Sequence, residues 1–188
     1  MGCKLKFNVY HGTDYNIARK IYEDGFICKE NPEHWLGNGI YFYLDELLAK
    51  WWTTNPSKKF GQKIEQPAVI KCKLEAYEEN VLDITKLNGY NRYVKMVNYY
   101  WKNYISKNPP IQGTEIRKVR CAFFDWIMRT QNIDVVIAAF HLPNQPYKEK
   151  FADFMLDNFS ISYSEVQVCL NPQKQYLLSD KIIELIHK

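Results

Sequence analysis

The sequence has no long apolar run, and the longest obvious one is VVIAAF. A helix that spans a bilayer needs roughly 20 consecutive apolar residues, so a membrane-spanning helix is excluded. The opening residues, MGCKLKF, carry no apolar stretch of the kind found in a secretory signal peptide. These absences predict a cytoplasmic protein with no membrane partner.

Cysteines are few and dispersed along the chain. The five are Cys3, Cys28, Cys72, Cys121 and Cys169. They form no CxxC pair, and no histidine stands near them at the spacing of metal ligands, so neither a zinc site nor a disulfide scaffold is indicated. We expect free thiols in a reducing compartment and no metal.

A strong excess of one charge is also missing, since 25 basic and 21 acidic residues give a net charge of +4. That mild excess would ease the approach of a phosphate-bearing partner, but it does not by itself indicate nucleic-acid binding. The sequence contains no internal repeat, low-complexity tract or linker. With 188 residues, it is predicted to form a single domain over residues 1–188.

Aromatic residues, in contrast, are abundant at 15%, with 14 tyrosines and 5 tryptophans. Several are concentrated in GNGIYFYLDELLAKWW, residues 37–52, where an aromatic strand follows a glycine turn and leads into a helix. Aromatic side chains supply both core volume and stacking surface. This segment is therefore compatible with a plain core or with a site that binds a flat ring.

Alternation and periodicity predict an α+β domain, because strands stand towards both ends of the chain with helices inserted between them. Strands are predicted at KLKFNVYHGT, IYFY, QPAVIKCKLEA, VLDIT, IDVVIAAF and SYSEVQVCL. Helices are predicted at DYNIARKIYEDG, from Asp45 to about Thr53, in RYVKMVNYYWKNYI, in TEIRKVRCAFFDWIM, in EKFADFMLDNF and in the tail DKIIELIHK. In the first helix we expect Asp14 to be the N-cap, Ile17 and Ile21 to face the core, and Gly25 to end the helix.

The segment RYVKMVNYYWKNYISK interleaves basic and aromatic residues and could approach nucleic acid. The alternative is an amphipathic helix with solvated lysines. Its inward stripe would then consist of Tyr93, Val97, Tyr100 and Tyr104.

Three short motifs could carry chemistry: YHGT at residues 10–13, GNGIYF at 37–42 and SEVQV at 164–168. Taken alone, each fits a turn, a core strand or an exposed edge strand. In the third motif, Glu165 and Gln167 point to one face of a strand, and the valines between and after them point to the other.

Together, the order and spacing of these motifs resemble the catalytic core of poly(ADP-ribose) polymerase-like ADP-ribosyltransferases of the His-Tyr-Glu type. VYHGT, a helix ending in DGF, WLGNGIYF followed by AKWW, and SEVQVCLNPQKQYLL carry the resemblance. It covers about residues 5–55 and 160–180. It implies a split antiparallel β-sheet core with flanking helices, which binds NAD as a co-substrate between its two halves.

The resemblance also implies how NAD is held. Tyr41 and Trp52 would stack on the two sides of the nicotinamide ring, because aromatic faces are good receptors for a flat cation. The backbone of Gly12 would meet the carboxamide, where a Cβ would hold the ring away. His11 would hydrogen-bond the adenosine ribose. Thr13 of the same motif would also contact NAD.

Glu165 would be the catalytic carboxylate, acting with His11 and Tyr41. Breaking the nicotinamide–ribose bond builds oxocarbenium character on the sugar, and a carboxylate bonded to the ribose 2′-OH stabilises that charge. Gln167 is a further candidate for NAD binding, and it would replace Glu165 as the functional residue if the strand register were shifted. Ala49 stands where many relatives have a serine that bonds the carboxamide.

The implied activity is NAD-dependent mono-ADP-ribosylation of a macromolecular acceptor, either protein or nucleic acid. Compact bacterial and phage relatives act as toxins or defence factors, so an antitoxin or regulatory partner is also possible. The alternatives are an NAD glycohydrolase and a catalytically silent module that binds ADP-ribose or a partner. A tRNA 2′-phosphotransferase is disfavoured, because no cluster of arginines accompanies YHGT.

Overall fold

A computed structural model describes residues 2–54, 64–106, 114–141 and 164–186, and it confirms the α+β class. The strands are β1 (Lys4–Asp14), β2 (Ile40–Tyr43), β3 (Pro67–Tyr77), β4 (Val81–Asp83), β5 (Val135–His141), β6 (Ser164–Leu170) and β7 (Leu178–Leu185). The α-helices are α1 (Tyr15–Asp24), α2 (Glu46–Thr54), α3 (Leu87–Tyr100) and α4 (Thr114–Thr130). None of the helices in these ranges is long and apolar enough to cross a membrane.

All seven strands form one mixed sheet in the order β4-β5-β6-β2-β1-β3-β7. Only the β4–β5 pair is parallel. β1 and β3 pair over their full length, from Lys4↔Tyr77 to Asp14↔Pro67. β1 and β2, in contrast, share the single pair Tyr10↔Tyr43. The sheet is therefore weakly joined at its centre, and β1 and β2 diverge beyond this pair.

Each face of the sheet is covered by a separate hydrophobic cluster, as the alternation of side chains along the strands requires. The first cluster contains Val9, Phe42 and Val168 together with residues of α1. The second contains Cys169 of β6 together with Ile127 and other residues of α4. Neighbouring residues of β2 and β6 thus point to opposite faces.

The predicted ends of α1 are confirmed, while one of its two core positions is wrong. The Asp14 side chain accepts a hydrogen bond from the Asn16 amide at 3.0 Å, and Gly25 ends the helix with φ +88°. Ile21 is buried, whereas Ile17 is 37% exposed. Ala18 takes the remaining core position, because it lies three residues before Ile21 on the same face of the helix.

The predicted closing helix at DKIIELIHK is wrong, since most of this segment belongs to strand β7. β7 pairs with β3 through contacts such as Ile70↔Ile183, and Ile183 packs against the first cluster. Pairing with the free edge of β3 outweighs the local helix pattern here. The predicted helix EKFADFMLDNF lies outside the described residues.

The aromatic stripe of α3 is confirmed over most of its length. Tyr93, Val97 and Tyr100 are half-buried and pack against the second cluster. Tyr104, however, is 56% exposed. The helix changes to a π-helical turn over Trp101–Ile105, which rotates later residues away from the stripe.

Candidate active site at the opening of the sheet

His11 bridges the gap where β1 and β2 diverge. Its Nδ1 donates a hydrogen bond of 2.8 Å to the main-chain carbonyl of Tyr41. Because a carbonyl can only accept, this bond puts the proton on Nδ1 and leaves Nε2 as an acceptor in the neutral ring. The ring packs edge-on against Phe26 and Phe42, on the face of the first cluster.

Burial lowers the pKa of His11, and this effect exceeds the rise caused by the Tyr41 carbonyl. The imidazole is therefore neutral at pH 7. A neutral ring with its Nε2 lone pair free can accept a hydrogen bond from a hydroxyl group, such as one on a ribose.

Glu165 is almost completely enclosed, with 2% of the residue exposed. Its carboxylate accepts a hydrogen bond from the Gln167 amide, and the Tyr43 hydroxyl and the Trp52 indole lie close enough to lower its pKa. Glu165 and Gln167 share one face of β6, as the alternation of this strand predicted. This face is also that of Cys169 in the second cluster.

Among the described residues, the side chains that act on the charge of Glu165 are all neutral. Burial raises the pKa of its carboxyl, while the nearby donor groups of Gln167, Tyr43 and Trp52 oppose that rise. No lysine or arginine in the described ranges forms an ion pair with it. A buried carboxylate without a countercharge destabilises a fold, and such groups are concentrated at functional sites.

Replacing Glu165 by glutamine should raise thermal stability at neutral pH. The folded-state pKa is above its ordinary value of 4.5, so ionisation lowers wild-type stability as pH rises through the raised pKa. The neutral amide has a similar shape and does not ionise. The variant should therefore melt at a higher temperature than wild type at pH 7, and the difference should vanish below about pH 4.5. Melting curves at several pH values test this, and equal curves at pH 7 would contradict it.

Tyr43 was missed by the sequence analysis, although it lies beside the carboxylate. Its ring is nearly parallel to that of Trp52, at a centroid distance of 6.4 Å and an angle of 16°. Burial, followed by the nearby Glu165 charge, raises the pKa of the Tyr43 phenol, so it remains a donor. Its position in the sequence could have identified it. Residues two apart on a strand lie on the same face of the sheet, and Tyr41 was already predicted to be a site residue.

Tyr41 is tied to the preceding turn by its hydroxyl group. The hydroxyl donates to the Gly37 carbonyl and accepts from the Leu36 amide, both at 2.8 Å. Burial raises the pKa of this phenol as well. The parallel partner of Trp52 is Tyr43, so the sandwich of Tyr41 and Trp52 around a ring stays a prediction.

Asp125 of α4 anchors the GNG turn and was also missed. Its carboxylate accepts from the Asn38 main-chain amide at 2.6 Å and from the Asn38 side-chain amide at 2.8 Å. Gly37 has φ +87°, and a Cβ there would lie 2.7 Å from Oδ1 of Asp125. A single acidic residue within the apolar run FFDWIM was the only sequence signal for this contact.

Exchanging the two side chains of this anchor tests its role. Asp125→Asn brings two amide donors together, and Asn38→Asp brings two carboxylates together. Each should cost about 1 kcal/mol, because partly buried polar groups lose partners. The double variant restores both contacts and also keeps the acceptor for the Asn31 amide, which bonds Asn38 at 2.8 Å.

Chemical denaturation of the four proteins measures the coupling between the two sites. We expect the double variant to recover most of the lost stability. Additive losses would contradict the anchor. Asp134→Asn is the control for a structural aspartate elsewhere, since Asp134 bonds the Asn80 amide at 3.0 Å. The stability lost in Asp134→Asn should not be recovered when Asn38→Asp is added.

Comparison with known proteins identifies no family. The chain matches no protein-family model and no solved structure. It is 26% identical to an uncharacterized protein of Methanocaldococcus jannaschii. The match covers 89% of this chain and 84% of that protein. It brings no activity to this chain, so the chemistry must be argued from the site.

Gly12 is required by packing, whatever its role towards a ligand. A Cβ on Gly12 would lie 2.4 Å from the main-chain oxygen of Ala49 and 2.8 Å from the methyl group of Thr53. The absence of a side chain therefore lets α2 approach β1 closely. Thr13 follows it and is 4% exposed. The predicted contacts of Gly12 and Thr13 with NAD stay predictions.

The predicted residues gather around the opening but do not form one cluster. His11 lies on the face of the first cluster, and Glu165 lies on the opposite face with Tyr43 and Trp52. No contact between His11 and Glu165 is recorded among the described residues. Because Glu165 is covered by its partners, a ligand could reach the carboxylate only if one of these side chains moved.

The described residues contain no group of three or more histidine, cysteine, aspartate or glutamate side chains that could hold a metal ion. All five cysteines are free thiols. Burial raises the pKa of the Cys72 and Cys121 thiols to about 11 and that of Cys169 well above its usual value. Thiols with such pKa values are poor nucleophiles at neutral pH, so Glu165 is the stronger candidate for chemistry.

Proposed function

We propose that the protein is an NAD-dependent mono-ADP-ribosyltransferase with a split-sheet fold and that Glu165 is its catalytic carboxylate. The carrying observation is the enclosed Glu165 carboxylate, which bonds the Gln167 amide, lies beside Tyr43 and Trp52, and has no countercharge among the described residues. Neutral donors orient the carboxylate but leave its negative charge uncancelled. That charge is then available for a cation that develops beside it in the transition state.

The strand order supports the proposal. Glu165 comes from β6, Tyr41 and Tyr43 from β2, and His11 from β1, and these three strands are neighbours in the sheet. Residues separated by more than 150 positions in the sequence are thus gathered at one opening. If the three motifs served only as local turns, nothing would require the strands that carry them to be neighbours in the sheet.

A long ligand with two different ends suits the opening. On one side, His11 offers an acceptor for a ribose hydroxyl. On the other, the parallel rings of Tyr43 and Trp52 stand beside Glu165, and aromatic faces attract a flat cation such as nicotinamide. NAD has an adenosine ribose at one end and a cationic nicotinamide riboside at the other, so it can contact both sides.

In the proposed reaction, the bond between the ribose C1′ and the nicotinamide nitrogen breaks, and nicotinamide leaves as a neutral molecule with the electron pair. Once one of the side chains that cover it has moved aside, Glu165 accepts a hydrogen bond from the 2′-OH and stabilises the positive charge on the sugar. A nucleophilic atom of the acceptor forms the new bond to C1′, and its proton passes to solvent. Water in place of the acceptor would give NAD hydrolysis.

Labelled NAD incubated with purified protein and cell lysate tests this function. We expect nicotinamide release together with label on a macromolecule, which protease or nuclease digestion then assigns to protein or to nucleic acid. Nicotinamide release without label on any macromolecule would identify a glycohydrolase. Intact NAD would contradict the proposed reaction and favour a binding module.

A further inference from the structure

An aromatic and basic surface lies next to Glu165, on the side away from β1. Phe140 of β5 stands directly opposite Glu165 in the β5–β6 pairing, and such pairs share one face of a sheet. The ring of Phe140 meets that of Trp35 at a centroid distance of 4.5 Å. The guanidinium carbon of Arg120 lies 5.1 Å from the centroid of the Trp35 ring. We call Trp35, Phe140 and Arg120 the acceptor surface.

This surface has features that a plain core contact does not need. Trp35 is 44% exposed, although it is large and apolar. The Nε of Arg120 is buried and has no hydrogen-bond partner in the described part of the chain. Buried polar atoms without a partner are rare in folded proteins, and an additional ligand is one physical reason for such an atom.

The charge around the surface is positive on its helical side. Arg117, Lys118 and Arg120 lie within four residues in the first half of α4. Among the described residues, Arg117 alone of the three forms an ion pair, with Glu33 at 3.2 Å. None of the three lies in the last turn of α4, where a basic side chain would stabilise the helix dipole. They add to a field that attracts phosphate groups.

We infer that the acceptor surface binds single-stranded nucleic acid, which is the acceptor of ADP-ribose; this inference rests on the proposed function. Nucleobases stack on indole rings and guanidinium planes, and phosphates are held by nearby lysine and arginine. Bases inside a duplex are already stacked on their neighbours, so only the bases of a single strand are free to stack on Trp35. The strand order is β5-β6-β2-β1, and Glu165 lies on β6. NAD would therefore approach Glu165 from the β1 side and the acceptor from the β5 side.

Binding of fluorescein-labelled single-stranded RNA and DNA, each of about 12 nucleotides, tests the surface by fluorescence anisotropy without NAD. Trp35→Ala should weaken binding about 5- to 150-fold, the range expected for the loss of one stacked base. Arg120→Lys should also weaken it, because lysine keeps the charge but loses the planar group. Affinity should fall as salt rises, and duplex of the same length should bind less tightly.

Tyr77→Ala is the matched control, since Tyr77 is also 44% exposed, has a cation (Lys4) over its ring and lies outside this surface. It should bind the oligonucleotides like wild type. Equal affinities of Trp35→Ala and Tyr77→Ala, or no binding by wild type, would overturn the inference. Transfer of labelled ADP-ribose to protein alone would also overturn it, in favour of a protein acceptor.

The two proposals can fail separately. If wild type binds oligonucleotides through Trp35 but leaves NAD intact, the surface stands as a nucleic-acid site and the transferase function fails. If it releases nicotinamide but binds no oligonucleotide, the NAD chemistry stands and the nucleic-acid acceptor is wrong. Melting temperatures of all variants show whether a loss of binding comes from unfolding, and Arg120→Lys keeps the test valid if Trp35→Ala does not fold.

Discussion

Glu165→Gln is expected to lower the rate of nicotinamide release from NAD on the order of 10²–10³-fold, while NAD affinity stays close to that of wild type. Glutamine has nearly the same shape and can keep its place beside Tyr43 and Trp52, but it has no charge with which to stabilise a cationic sugar. An interaction that is stronger in the transition state than in the ground state changes kcat rather than substrate binding. Steady-state rates at saturating NAD and calorimetric titration of NAD separate the two quantities.

Gln167→Ala is the control for this prediction, because Gln167 shares the face of Glu165 and bonds its carboxylate. We expect a smaller loss of rate, since the variant removes one orienting bond and keeps the charge. A larger loss for Gln167→Ala than for Glu165→Gln would assign the central role to Gln167. An unchanged rate for Glu165→Gln would remove Glu165 from the chemistry.

Gly12→Ala should destabilise the fold by about 3 kcal/mol, near the upper end of what overpacking costs. The new methyl group would stand 2.4 Å from the Ala49 main-chain oxygen, and a backbone atom cannot move aside without its helix. Displacing α2 also shifts Trp52 away from Glu165, so NAD turnover should fall with stability. Chemical denaturation followed by circular dichroism measures the change.

Gly2→Ala is the matched control for that substitution. A Cβ on Gly2 would lie 2.7 Å from a carboxylate oxygen of Glu79, which is the free end of a flexible side chain. Its cost should stay within about 0.5 kcal/mol, as for most surface changes. If Gly12→Ala were as stable as Gly2→Ala, close packing of α2 on β1 would not be the reason for the glycine.

Local patterns were enough to predict most strands, the caps of α1 and the shared face of Glu165 and Gln167. These features depend on residues close together in the sequence, such as Asp14 beside the first turn of α1. The tail was predicted wrongly because its strand forms by pairing with β3, about 110 positions earlier. Local periodicity carries no information about which sheet edge is free.

The aromatic segment at residues 37–52 divides into separate roles that its composition does not distinguish. Phe42 belongs to the buried core, Tyr41 ties down the GNG turn, and Tyr43 with Trp52 encloses Glu165. Only pairing between distant strands decides which aromatic ring meets the carboxylate. For the same reason Asp125, 87 positions from Asn38, could not be assigned to the turn from the sequence.

Nicotinamide release from NAD by the purified protein, followed by liquid chromatography, tests the central claim most directly. The proposed site predicts that nicotinamide accumulates with time and in proportion to protein concentration. It also predicts that the product falls to near background in Glu165→Gln. Intact NAD with folded wild-type protein, or equal release by wild type and Glu165→Gln, would contradict an NAD-cleaving site built on Glu165.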